Sequence, residues 1–227
     1  MAEKTRVLVV DDQNIARGFF EMHIKTSVNY ELVRSLPAAE LAVSFCDRHP
    51  VDLILMDVMM RYGMDGLTAA AAIKKRHPEI RIILTTSMAE AAWEDRARAC
   101  GVESFWYKEY SEEPLLSVMD RTMAGESVYP SDPPQVEFGM ITRADLTGRE
   151  LDVLRELTSG ATNDEIAAKL GISINTVKRH IQNMLAKTGY ENRLALAVHA
   201  KLVGLVVSDE DIGADREESG SFADTSS

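Results

Sequence analysis

No stretch of these 227 residues approaches the roughly 18 consecutive apolar residues that a membrane-spanning helix requires. The first apolar run, RVLVV (6–10), is met at once by Asp11 and Asp12, so neither an anchor nor a signal peptide is expected. Cysteine is nearly absent. The two present, Cys46 and Cys100, lie far apart in segments that read as helical, which excludes a disulfide framework and suits reduced thiols in a cytoplasmic protein. No Gly-rich loop followed by Lys-Ser or Lys-Thr occurs, which speaks against nucleotide hydrolysis. The five histidines show no metal-ligand spacing with cysteine or acids. Basic residues are in the minority, 25 Lys and Arg against 36 Asp and Glu, for a net charge of -11 that by itself argues against a nucleic-acid partner.

The distribution of charge reverses that last point. Residues 1–142 carry 15 basic and 22 acidic side chains, or -7; residues 143–207 carry 9 and 7, or +2; residues 208–227 carry 1 and 7, or -6. Only the middle segment is basic. The first alternates short β-branched runs, RVLVV (6–10), ELVRSL (31–36), DLILM (52–56), RIILT (81–85) and ESFWY (103–107), with amphipathic stretches near 14–26, 38–48, 67–77, 90–99 and 112–124. Five strands interleaved with five helices predict an α/β, doubly wound, parallel sheet covered on both faces over residues 1–124. Residues 125–142 hold Pro130, Pro133 and Pro134 and no period, and read as a linker. Residues 143–207 read as an all-α domain, and the acidic, Ser-rich residues 208–227 as a disordered tail.

Chemistry gathers at the strand ends. Asp11 and Asp12 follow the first strand, Asp57 the third, Thr85 closes the fourth and Lys108 follows the fifth. In a doubly wound sheet these ends converge on one edge, so three carboxylates and one ammonium would share a pocket. Singly, each could be a strand-end cap; five at converging ends are better explained by a site. Clustered carboxylates repel unless a cation sits among them, and Mg²⁺ is the hard ion that oxygen donors favour. Such a pocket would draw in a phosphoryl group, with Asp57 as the acceptor, Lys108 paired to its oxygens and the Thr85 hydroxyl donating to one of them.

The segments VLVVDDQ, LILMDV, RIILTTS and SFWYKE resemble the signature segments of bacterial receiver domains, in order, over about residues 4–124. The resemblance implies a flavodoxin-like fold, phosphorylation of Asp57 by a sensor histidine kinase, Mg²⁺ held by Asp11, Asp12, Asp57 and the backbone carbonyl of Met59, phosphoryl contact by Lys108, and a switch pair of Thr85 and Phe105. A phosphatase of the haloacid dehalogenase class would resemble Asp-x-Asp, and position 59 is Met. Two departures stand out: the usual M-P-x-x-D-G turn is replaced by MRYGMDG, with Arg61 in place of proline and one added residue, and Glu109 follows Lys108. The altered turn keeps open a vestigial receiver with phosphorylation-independent DNA binding.

Residues 146–188 carry Thr147 with Glu150 and Thr162 with Glu165, each fitting a capping box, and Ser173 ahead of a third helix. Only Gly171-Ile172-Ser173 separates the second helix from the third, so the two cross sharply, with small Ala167 where they meet. On the third helix Val177, Ile181, Met184 and Leu185 form an inward stripe; Asn175, Lys178, Arg179, Gln182 and Asn183 form the other face, with no acid among them. Thr176 and Lys187 join these as candidate DNA contacts, since Lys and Arg serve guanine edges or phosphates and Asn and Gln serve adenine. LTGRE, NDEIAAKLGIS and TVKRHIQNML resemble the LuxR-type helix-turn-helix, and the whole chain resembles a NarL/FixJ-type response regulator. That implies promoter DNA and a sensor kinase as partners, contact with RNA polymerase, and pairing of two copies on DNA through the last helix, residues 192–203. A phosphoryl-accepting module that binds only proteins is the remaining alternative.

Overall fold

The computed structural model describes residues 3–60, 63–88, 92–131 and 134–206, and within these the chain forms two compact units that divide near residue 131. The expectation for Arg61 and that for the tail, 208–227, lie outside the described residues.

In the first unit the apolar runs become β1 (Thr5–Val10), β2 (Tyr30–Leu36), β3 (Leu53–Asp57), β4 (Arg81–Thr86) and β5 (Ser104–Tyr107). They form one sheet, ordered β2-β1-β3-β4-β5, and every neighbouring pair is parallel. Leu53 to Asp57 are buried throughout, as a central strand covered on both faces must be. The interleaved helices are α1 (Asn14–Thr26), α2 (Ala39–Cys46), α3 (Gly66–Arg76), α4 (Ala92–Ala99) and α5 (Leu115–Met123). α5 begins later than residue 112 because Pro114 has no N–H to donate and sits as its cap. The strand order reverses between β1 and β3, the place where such sheets open a crevice at their carboxyl ends.

The second unit holds a two-stranded hairpin, β6 (Glu137–Phe138) and β7 (Ile141–Thr142), then α6 (Gly148–Thr158), α7 (Asn163–Leu170), α8 (Ile174–Thr188) and α9 (Arg193–Leu202). Both capping boxes form: Thr147 Oγ1 accepts from Glu150 N and Thr162 Oγ1 from Glu165 N, and each glutamate reaches back. Ser173 caps α8, and Gly171 takes the left-handed φ of 64° that the short turn demands.

The stretch 125–142 does more than link. Val128 packs into the first core, while Val136 and the fully buried Phe138 belong to the second. Strands of two residues are too short to show a period, so their burial left no pattern in the sequence.

Candidate functional site

The ends of β1, β3 and β5 bring Asp11, Asp57 and Lys108 together. Asp11 is fully buried and Asp57 nearly so, at 3% exposure, and one oxygen from each of Asp11, Asp12 and Asp57 lies within 4.8 Å of the others. Lys108 Nζ donates to Asp11 Oδ2 at 2.6 Å and to Asp57 Oδ1 at 2.7 Å. The pocket is fixed by backbone as well. Asp57 and Thr85 are partners in register, Val58 N donates to the Thr85 carbonyl at 2.8 Å, and Lys108 N donates to the Thr86 carbonyl at 2.8 Å. Gly66, which opens α3, has to be glycine: a Cβ there would run into the carbonyl oxygen of Asp57.

Among the described residues, three carboxylates and one ammonium meet here, with Asp11 and Asp57 buried and Asp12 partly so. Burial pushes the Asp57 carboxyl up to about 7, and the charges of Asp11 and Asp12 act in the same direction against the pull of Lys108. Burial alone would lower Lys108, but Asp57 and Asp11 outweigh it and hold the ammonium charged. The Thr85 hydroxyl, on the strand beside Asp57, is buried and has no hydrogen-bond partner among the described residues. Phe105 is buried too, its ring edge-on to Tyr107 at 5.1 Å and stacked on Tyr129 at 6.2 Å. Met59 follows β3 and is half-buried.

On α8 the inward stripe is as the spacing requires: Val177, Ile181 and Met184 are buried and Leu185 packs against them. Asn175, Lys178, Arg179, Gln182 and Asn183 are exposed along the other side. Two further candidates are engaged elsewhere. The Thr176 hydroxyl bonds Ser173 Oγ at 2.8 Å within the cap. Lys187 donates to Glu150 Oε2 at 2.8 Å and to the Asp145 carbonyl at 3.0 Å. Sequence spacing missed this because Glu150 reads as a capping residue; it is that and a buried ion-pair partner together. Burial would raise the Glu150 carboxyl, but Lys187 and the Thr147 donors overcome it and leave it below its usual range.

Residues 7–120 match the family model for the response regulator receiver domain, and residues 144–200 that for bacterial regulatory proteins of the luxR family. Response regulator protein VraR of Staphylococcus aureus is 33% identical over 200 residues, which are 86% of this chain and 95% of that protein. The chain belongs to the response regulators. This regulator is a phosphorylation-controlled, DNA-binding transcription factor, not an enzyme, and its receiver implies a histidine kinase partner. Its fold is also that of RcsB from Salmonella enterica serovar Typhimurium, solved on promoter DNA with a beryllofluoride phosphomimetic, at TM-score 0.58, 20% identity, and coverage of 87% of this chain and 98% of that one. A structure of two RcsB dimers bound to two parallel DNAs gives TM-score 0.58 at 21% identity, covering 88% and 98%. Among the regulator's described residues, no helix is long and apolar enough to cross a membrane.

Receiver domains bind Mg²⁺ at an acidic pocket, and the donors here fit that ion: three carboxylates, all hard oxygen ligands, two of them buried, with Asp57 raised by burial first and by the charges of Asp11 and Asp12 after it.

Proposed function

We propose that Asp57 is the phosphoacceptor of this regulator. The observation that carries the reading is the Lys108 ammonium bonded to both Asp57 and Asp11, with a partnerless Thr85 hydroxyl on the adjoining strand. An Asp57 oxygen attacks phosphorus and forms an acyl phosphate. The bond from phosphorus to the kinase imidazole nitrogen, or to the acetate oxygen of acetyl phosphate, breaks with its electrons going to the leaving group. Asp57 must be ionised to attack, and Lys108 favours that form. Once transfer is complete, Lys108 can turn from the carboxylate to a phosphoryl oxygen and Thr85 can donate to another.

Asp11, Asp12, Asp57 and the Met59 carbonyl would hold Mg²⁺, which when bound offsets the negative charge gathered in transfer. The new phosphoryl group brings about -1.5 to -2 charges into the pocket, the signal that Thr85 and Phe105 pass on.

DNA is read by α8 through Asn175, Lys178, Arg179, Gln182 and Asn183, with Thr176 serving the cap that positions them. Two copies pair through α9. Leu194, Val198 and Leu202 recur every four residues along it at 70%, 47% and 75% exposure, while Leu196 and Ala200 face the core. Incubation with acetyl phosphate and Mg²⁺, read by intact mass, should add one phosphoryl group to the wild type and none to Asp57→Asn. Full labelling of the variant overturns the assignment.

A further inference from the structure

β5 closes one side of the sheet, so its outer backbone groups have no neighbouring strand to bond. The chain just after α5 supplies what is missing. Phe105 N donates to the Val128 carbonyl at 2.9 Å, Val128 N donates to Ser104 Oγ at 3.2 Å, and Ser127 Oγ donates to the Glu103 carbonyl at 2.9 Å. Tyr129 anchors the end of this short lane. Its hydroxyl donates to the Val102 carbonyl at 2.9 Å, one face of its ring stacks on Phe105, and the Arg98 guanidinium of α4 lies 3.6 Å from the ring centre. Tyr129 thus touches the switch aromatic from the first residues of the segment that leads to the DNA-binding unit.

We propose that Tyr129 is a positioning residue that couples Phe105 to this segment, so that residues 127–129 lie along β5 in the arrangement described and leave it when Asp57 is phosphorylated. The inference rests on the reading of Asp57 and the Thr85–Phe105 pair above. Phosphorylation gives the buried Thr85 hydroxyl its acceptor and draws the end of β4 toward the pocket. Phe105, whose register partner Leu84 is the residue before Thr85, then shifts, and any rotation of its ring disturbs its stacking on Tyr129. The same strand residue holds Val128 through its N–H, so ring and backbone contacts loosen together. Coupling of this kind is reciprocal: weakening the attachment must favour the phosphorylated form.

The test is hydrogen exchange on the full-length chain with and without beryllofluoride and Mg²⁺, alongside intact mass after acetyl phosphate. In the wild type the phosphomimetic should speed exchange of peptides covering 103–106 and 126–131 by about threefold or more. Tyr129→Ala should exchange fast there in both conditions and bind beryllofluoride about threefold more tightly. Tyr129→Phe, which keeps the ring and loses only the hydroxyl bond, should retain the wild-type response. Phosphoryl uptake with unchanged or slower exchange overturns the coupling and leaves the phosphoacceptor reading standing. Absence of uptake overturns both, and a Tyr129→Phe variant that behaves like Tyr129→Ala overturns the role given to the ring.

Discussion

The two chemical regions of this regulator use charge in opposite ways. The receiver pocket buries its charges within contact of one another, so each depends on the rest: Lys108 answers to Asp11 and Asp57 at once. The α8 face spreads Lys178 and Arg179 in solvent, where salt screens each of them and, on the proposed reading, each would meet DNA independently. On the proposed reading, interdependence suits the pocket to a switch that one covalent event resets, and independence suits the helix face to a reader whose contacts add.

Removal of one pocket member is the most damaging way to probe this contrast. Lys108→Ala strands two buried carboxylates, and chemical denaturation near pH 7 should show a loss of about 3–5 kcal/mol, smaller at pH 5 where Asp57 can protonate. Asp57→Asn should do the reverse in metal-free protein. The folded state holds the Asp57 proton up to about 7, well above the ordinary carboxylate value, so it binds that proton more tightly than the unfolded chain does. Stability contributed by Asp57 is therefore lost as pH rises from about 4 to about 7. The variant escapes this loss. It should be more stable than wild type at pH 8 in chelator by up to about 4 kcal/mol, with the gap closing toward pH 4; a pH-independent difference would refute the interdependence of the pocket.

On the helix face, Lys178→Ala or Arg179→Ala should weaken promoter binding about tenfold at low salt and lower the salt slope by about 1, with phosphorylation unchanged. The double variant should be additive, in contrast to any pair of changes in the pocket. The smallest effect belongs to the scaffold: Thr147→Ala removes a cap on α6 and should cost about 1 kcal/mol by thermal melting, without altering phosphorylation.

The α/β order, the pocket residues and the caps were legible because each leaves a local mark. Apolar runs broken by Asp11, Asp57 or Lys108 announce strands that end in chemistry, and Thr147 or Thr162 three residues ahead of a glutamate announces a helix start. The Lys187–Glu150 pair was not legible, because a lysine on an exposed-looking turn of helix has the same spacing whatever it faces. Phe138 and Val128 were hidden inside a Pro-rich stretch whose strands are too short to repeat.

Local order along the chain, set by side-chain period and backbone preference, thus determined which elements form and which carboxylates stand at their ends. Tertiary structure alone decided that Lys108 bridges Asp11 and Asp57, that Lys187 pairs with Glu150, and that Tyr129 meets both Phe105 and Arg98. Those pairings join residues as many as 97 positions apart, and their energies come from burial and mutual charge, which exist only once the sheet has closed over them.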